Sequence, residues 1–151
     1  MNTLIDENDV SPACLSVLLE QAVIAHSVDS DGQIHVHEPG WFPYWITHRP
    51  HQGLIALSTY TEFREETTEL ERLRLSNEVS LNSTNLAVCV TDDRLRFDFA
   101  LTCLGVMVQD HFVRACRHFP EAIDRAIAAV DGEYVQLKHL REVCSKPKDV
   151  S

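Results

Sequence analysis

The chain is predicted to fold as an α+β domain in which helices cover one face of a five-stranded antiparallel sheet. Three features of its 151 residues point there. Apolar residues recur at helical spacing in three separate stretches. Strand-like runs fill the interval between the first two. The segment "LAVCVTDDRLRFDFAL", 86–101, reads as a hairpin whose second strand is apolar on one side and charged on the other. That alternation belongs to an antiparallel sheet with one solvated face.

The elements follow in order. Residues 1–10 are polar and acidic and are expected to be flexible. Ser11-Pro12 supplies an N-cap and a first-turn proline, and Leu15, Leu18, Leu19, Ala22 and Val23 form one stripe, so 12–26 is predicted helical. "DSDG" at 29–32 breaks the chain. Strands are then expected in "QIHVHE", "WFPYWITH" and "LIALSTYTEF", with Pro43 suggesting an edge or a bulge in the second.

From Glu65 the period turns helical. Leu70, Leu73, Asn77 and Leu81 share one side and Leu75 and Val79 nearly the opposite one, so both sides of this helix are expected to be covered. "NSTN", 82–85, ends it with short polar side chains that tolerate left-handed backbone. The hairpin turns at Asp92-Asp93. A last helix then runs through Phe112, Cys116, Phe119, Ile123, Ile127 and Val130. Pro120 should kink or divide it, because proline lacks the amide that would bond back to Cys116. "EYVQLKHLREVC", 133–144, reads as a short extra helix, and 145–151 as a flexible tail. The order is α-β-β-β-α-β-β-α within a single domain, 11–144.

Composition narrows the function. The net charge of -10 disfavours nucleic acid and anionic membrane surfaces, which need clustered Lys and Arg. No apolar run approaches the roughly 20 residues that cross a bilayer. The five cysteines, Cys14, Cys89, Cys103, Cys116 and Cys144, form no Cys-x-x-Cys pair and sit in apolar patterns. Together with an N-terminus unlike a signal peptide, they imply a reduced, cytoplasmic protein. There is no phosphate loop, nucleophile elbow, zinc-protease helix or dinucleotide fingerprint, so no enzyme activity and no cofactor are expected.

The helix ending in "LSNEVSLNSTN", with Asn77 and Asn82, followed at once by the hairpin and an apolar C-terminal helix, resembles the YbjN family. The resemblance extends over roughly 12–130. It implies the fold of type III secretion chaperones, a homodimer, and a regulatory or chaperone-like role in a bacterial cytoplasm without an established active site. A non-enzymatic protein-binding module is therefore the preferred function.

Candidate site residues are few. Trp41, Tyr44 and Trp45 cluster in a strand that has two faces, so they serve the core or meet a partner. Leu75 and Val79, with Leu70, Leu73 and Leu81 taken by the sheet, are the expected partner contacts of the second helix. Asn77 and Asn82 are read as structural polar residues, Asn77 bonding buried backbone of the hairpin, against the alternative of a ligand contact. His35, His37, His48 and His51 form the alternative function, a small metal-binding or metal-sensing protein, if the strand register lets three of them converge. Glu62, Glu65, Glu66, Glu69 and Glu71 read as a solvated helix start, with a Thr68–Glu71 capping box, or as a docking patch for a basic segment.

Overall fold

The computed structural model describes residues 3–139. Its elements are β1 (Leu4–Asp6), α1 (Pro12–Gln21), β2 (His26–Val28), β3 (Ile34–Val36), β4 (Tyr44–Arg49), β5 (Leu54–Glu62), α2 (Glu69–Leu81), β6 (Ala87–Thr91), β7 (Arg94–Thr102), β8 (Val106–Val108) and α3 (Gln109–Asp131). The α+β class holds, with antiparallel sheets. The main sheet has six strands where the sequence implies five, in the order β2-β3-β4-β5-β7-β6. β1 and β8 form a separate antiparallel pair, Leu4 opposite Val108.

The added strand is β2. The same "DSDG" that reads as a break is a hairpin turn: the Asp29 carboxylate accepts the amides of Asp31 and Gln33, both at 2.9 Å, and Gly32 takes a φ of 80°. Three residues either side then pair, His26 with Val36 and Val28 with Ile34. α1 consequently stops earlier than its apolar stripe suggests. Val23 adopts a left-handed φ of 59°, and the amide of Ile24 bonds back to the Leu19 carbonyl at 3.0 Å. This is the closure usually built on glycine.

The chain forms two compact units. One comprises the residues up to Thr59 together with Asp98–Ala122. The other comprises Tyr60–Phe97 together with the residues from Ile123 on. β5, β7 and α3 each contribute to both.

In the first unit the strands alternate cleanly. Ile34, Val36, Tyr44, Ile46, Ile55 and Leu57 are buried, and His35, Trp45, Thr47, Ala56 and Ser58 occupy the other face half-buried. Leu15, Leu18 and Leu19 of α1 and Phe112, Cys116 and Phe119 of α3 complete this core. Pro43 lies just before β4, which is an interior strand, and its carbonyl accepts the Thr59 hydroxyl at 2.6 Å. α3 runs unbroken through Pro120. The Cys116 carbonyl, which an amide at position 120 would have bonded, instead accepts the Tyr44 hydroxyl at 2.6 Å. A strand side chain thus replaces the donor that proline lacks, and the helix is not divided there.

In the second unit Phe63, Leu75, Val79, Leu95, Phe97, Ile123, Ile127 and Leu137 are buried. The extra helix expected over 133–144 is absent from its described part. The buried Asp131 carboxylate accepts the amides of Val135, Gln136 and Leu137 at 2.8, 3.2 and 2.9 Å. That holds the chain in a reversal, and Leu137 then bridges to Phe63 in antiparallel fashion, with Lys138 donating to the Glu62 carbonyl at 2.8 Å. Residues 140–144 of the expected helix lie outside the described residues.

Candidate functional site

The element with most unexplained surface is α2. It begins in the expected capping box: Thr68 Oγ1 accepts the Glu71 amide at 3.2 Å, and the Glu71 carboxylate accepts the Thr68 amide at 2.8 Å. It ends at Asn82, whose side-chain amide donates to the Glu78 carbonyl at 2.8 Å. Its backbone amide donates to the same carbonyl, and the two bonds close the end of the helix. Beyond it Asn85 takes a left-handed φ of 66°.

Arg72 sets the rotation of the helix. Its Nε donates to Thr67 Oγ1 at 2.9 Å, its Nη1 to the Asp92 carbonyl at 3.2 Å, and its guanidinium lies 5.4 Å from the centroid of the buried Phe63 ring. The side of α2 that carries Arg72 is therefore the inner one. Leu75, Ser76 and Val79 are buried on that side. Leu70, Leu73 and Leu81 are 56%, 49% and 86% exposed, and Asn77 is exposed among them.

This reverses two expectations. Leu75 and Val79 belong to the chain's own core and are not partner contacts, and Asn77 bonds no buried backbone of the hairpin. Hydrophobic spacing shows two apolar sides without saying which is inner. Arg72, on the side of Leu75 and Val79, decides it by seeking an aromatic face and a carbonyl. Beside the first turn, a groove of about 660 Å³ exposes Leu73 and Val90 between Glu69, Asp92 and Asp93. Nothing in the sequence pattern announces it, because its two sides come from segments some twenty residues apart.

The aromatic strand divides its residues differently from the expectation. Tyr44 is fully buried, its ring edge-on to Phe119 at 5.1 Å and its hydroxyl on Cys116, so it is no partner contact. Burial pushes its ionisation upward and raises the Cys116 thiol to about 12. A thiol so raised is an inert core group rather than a nucleophile. Trp45 lies on the other face, half-buried, stacked on His35 with centroids 5.0 Å apart. Trp41 is half-buried in the turn before β4.

The four histidines do not converge. His35 and His37 are neighbours, their rings 5.6 Å apart. His48 stands in the alternation with Tyr44 and Ile46, on the opposite face, paired with Ile55. Burial lowers its pKa. His51 lies exposed in the short 3-10 turn Pro50–Gln52. Among the described residues no three His, Cys, Asp or Glu side chains are grouped to hold a metal ion. The register that the metal reading needed is not the one adopted. Of the acidic run, Glu62 pairs with Lys138 at 2.9 Å, and Glu65, Glu66, Glu69 and Glu71 are exposed.

Residues 11–132 match the model of the YbjN family, described as "Putative bacterial sensory transduction regulator". The chain belongs to the YbjN family. Among solved structures it is similar to one described as "Crystal structure of YbjN, a putative transcription regulator from E. coli", with a TM-score of 0.67 and 17% identity over 86% of this chain and 97% of that one. At that identity the likeness concerns the fold. No curated protein matches the chain. Membership of the YbjN family supports a regulatory or binding role. No helix among the described residues is long and apolar enough to cross a membrane.

Proposed function

We propose that this YbjN-family chain is a non-enzymatic regulatory module that binds protein, with a chaperone-like mode of action, and that it works as a homodimer joined through the open side of α2. The observation that carries the reading is the leucine stripe. Leu70, Leu73 and Leu81 face solvent while Leu75 and Val79 of the same helix are buried. Covering one leucine fully is worth about 1.5–3 kcal/mol, so a stripe of this kind favours a partner. A second copy offers the same stripe, and two-fold pairs are the commonest symmetric solution. Charges border it on both sides, Arg74 and Glu78 at one edge and Glu69 at the other. A bacterial cytoplasm is the proposed setting: the family is described as bacterial, and the four cysteines among the described residues are all free.

Sedimentation equilibrium of untagged protein at micromolar concentration tests this reading. The expected mass is twice the 17.1 kDa of one chain. A stable species of one chain's mass would exclude it.

A further inference from the structure

We infer that the cleft between the end of α1 and the start of α3 binds a small carboxylic acid with an apolar body, held by Arg117 and covered by Val23. The site uses no residue of α2 and is independent of the dimer face proposed above.

The cleft has a volume of about 430 Å³, and small-molecule sites usually fall at about 300–1,000 Å³. Leu18, Ala22 and Val113 supply its apolar lining, and all its residues belong to the first unit. Polar groups reach it from both helices. The Gln109 side-chain amide donates to the Gln21 side-chain oxygen at a long 3.4 Å. That leaves the Gln21 nitrogen as a donor and the Gln109 oxygen as an acceptor for a guest.

Charge selects the guest. Asp110 and Arg117 both line the cleft, but Asp110 is already engaged, its Oδ2 lying 2.9 Å from Arg114 Nε. Arg117 donates one Nη2 hydrogen to the Ala22 carbonyl at 3.2 Å and has no carboxylate partner among the described residues. That bond anchors the guanidinium at the negative end of α1. A guanidinium carries five N–H donors in a planar fork that matches a carboxylate, so most of its capacity remains for a ligand. A cationic ligand would have to displace Arg114 from Asp110. A phosphate dianion would meet the Asp110 charge with a single arginine to offset it.

Val23 is the second ground. Its φ of 59° lies in the left-handed region, where a β-branched residue is strained. The end of α1 requires that backbone, but glycine would supply it without the strain. The valine side chain is 85% exposed, so the free chain gains no burial from it. It directly follows Ala22 of the lining, where it can close over the apolar body of a bound acid.

Hexanoate is the probe, and hexylammonium the control of equal length and opposite charge, both read by backbone amide shifts in NMR. Hexanoate should give saturable shifts confined to residues 18–23 and 109–117, and hexylammonium none there. Arg117→Gln should weaken hexanoate binding by about tenfold or more. Val23→Gly should also weaken it, yet melt no lower than the parent chain, which a purely structural valine would not allow. Absence of saturable shifts from hexanoate, equal shifts from hexylammonium, or undiminished binding by Arg117→Gln would overturn the proposal. If Arg117→Gln fails to fold, the two probes on the parent chain decide. A Val23→Gly chain that binds hexanoate as the parent does, or melts lower, would overturn the role given to Val23.

Discussion

α3 and α2 dispose of their apolar residues in opposite ways. α3 gathers Phe112, Cys116, Phe119, Ile123, Ala126 and Ile127 on one side, all buried, and gives the other side to His111, Arg114, Arg117, His118, Glu121 and Arg125, all exposed. Its own chain satisfies it. α2 is barely amphipathic in that sense, because leucines stand on both sides and only one side is inner. A helix with one stripe is covered by folding, whereas a helix with two leaves one of them facing solvent. The difference extends to what holds each in place. α3 relies on burial and on the Tyr44 hydroxyl. α2 relies on a capping box, on Asn82 and on the contacts of Arg72.

That contrast can be sharpened by removing each support. Tyr44→Phe takes away the donor that offsets Pro120 and leaves the Cys116 carbonyl buried and unbonded, a loss of about 1–3 kcal/mol. Adding Pro120→Ala returns an amide to that carbonyl. The double variant should therefore be more stable than the sum of the two single effects by at least about 0.5 kcal/mol in chemical denaturation. Strict additivity would show that the hydroxyl does not replace the missing amide. A smaller effect is expected at the start of α2. Thr68→Ala removes one half of the capping box and should lower stability by about 1 kcal/mol, read in the same denaturation series. No change there would mean that packing by Arg72 and Leu75 alone holds the helix.

Much of this architecture can be read from residues. Ser11-Pro12, Thr68–Glu71 and Asp92-Asp93 each carry their local structure in their side chains, and the first helix start, the capping box and the hairpin turn appear where those residues stand. What escapes sequence reasoning is non-local. β2 exists only because Asp29 turns three short residues onto β3. β1 exists only because β8 lies beside it. The residues 135–137 look helical by spacing and are drawn out of a helix by one buried carboxylate. At the candidate site the same limit decides the outcome. Spacing separates Leu73 from Leu75 correctly, yet their inner and outer assignment depends on Phe63 and Asp92, partners that no pattern within α2 can name. The histidines are a parallel case, since alternation places His48 opposite to His35 only once the register of β3 and β4 is known.

The central claim is that two leucines two positions apart serve different masters: Leu75 the chain's own core, Leu73 a second copy. Sedimentation velocity combined with thermal melting of Leu73→Glu and Leu75→Glu tests it most directly. Leu73→Glu should be a folded monomer, its circular dichroism unchanged. Leu75→Glu should fail to fold, because a carboxylate in that buried position has no partner. A Leu73→Glu variant that dimerises like the parent chain, or a Leu75→Glu variant that is folded and monomeric, would contradict the account.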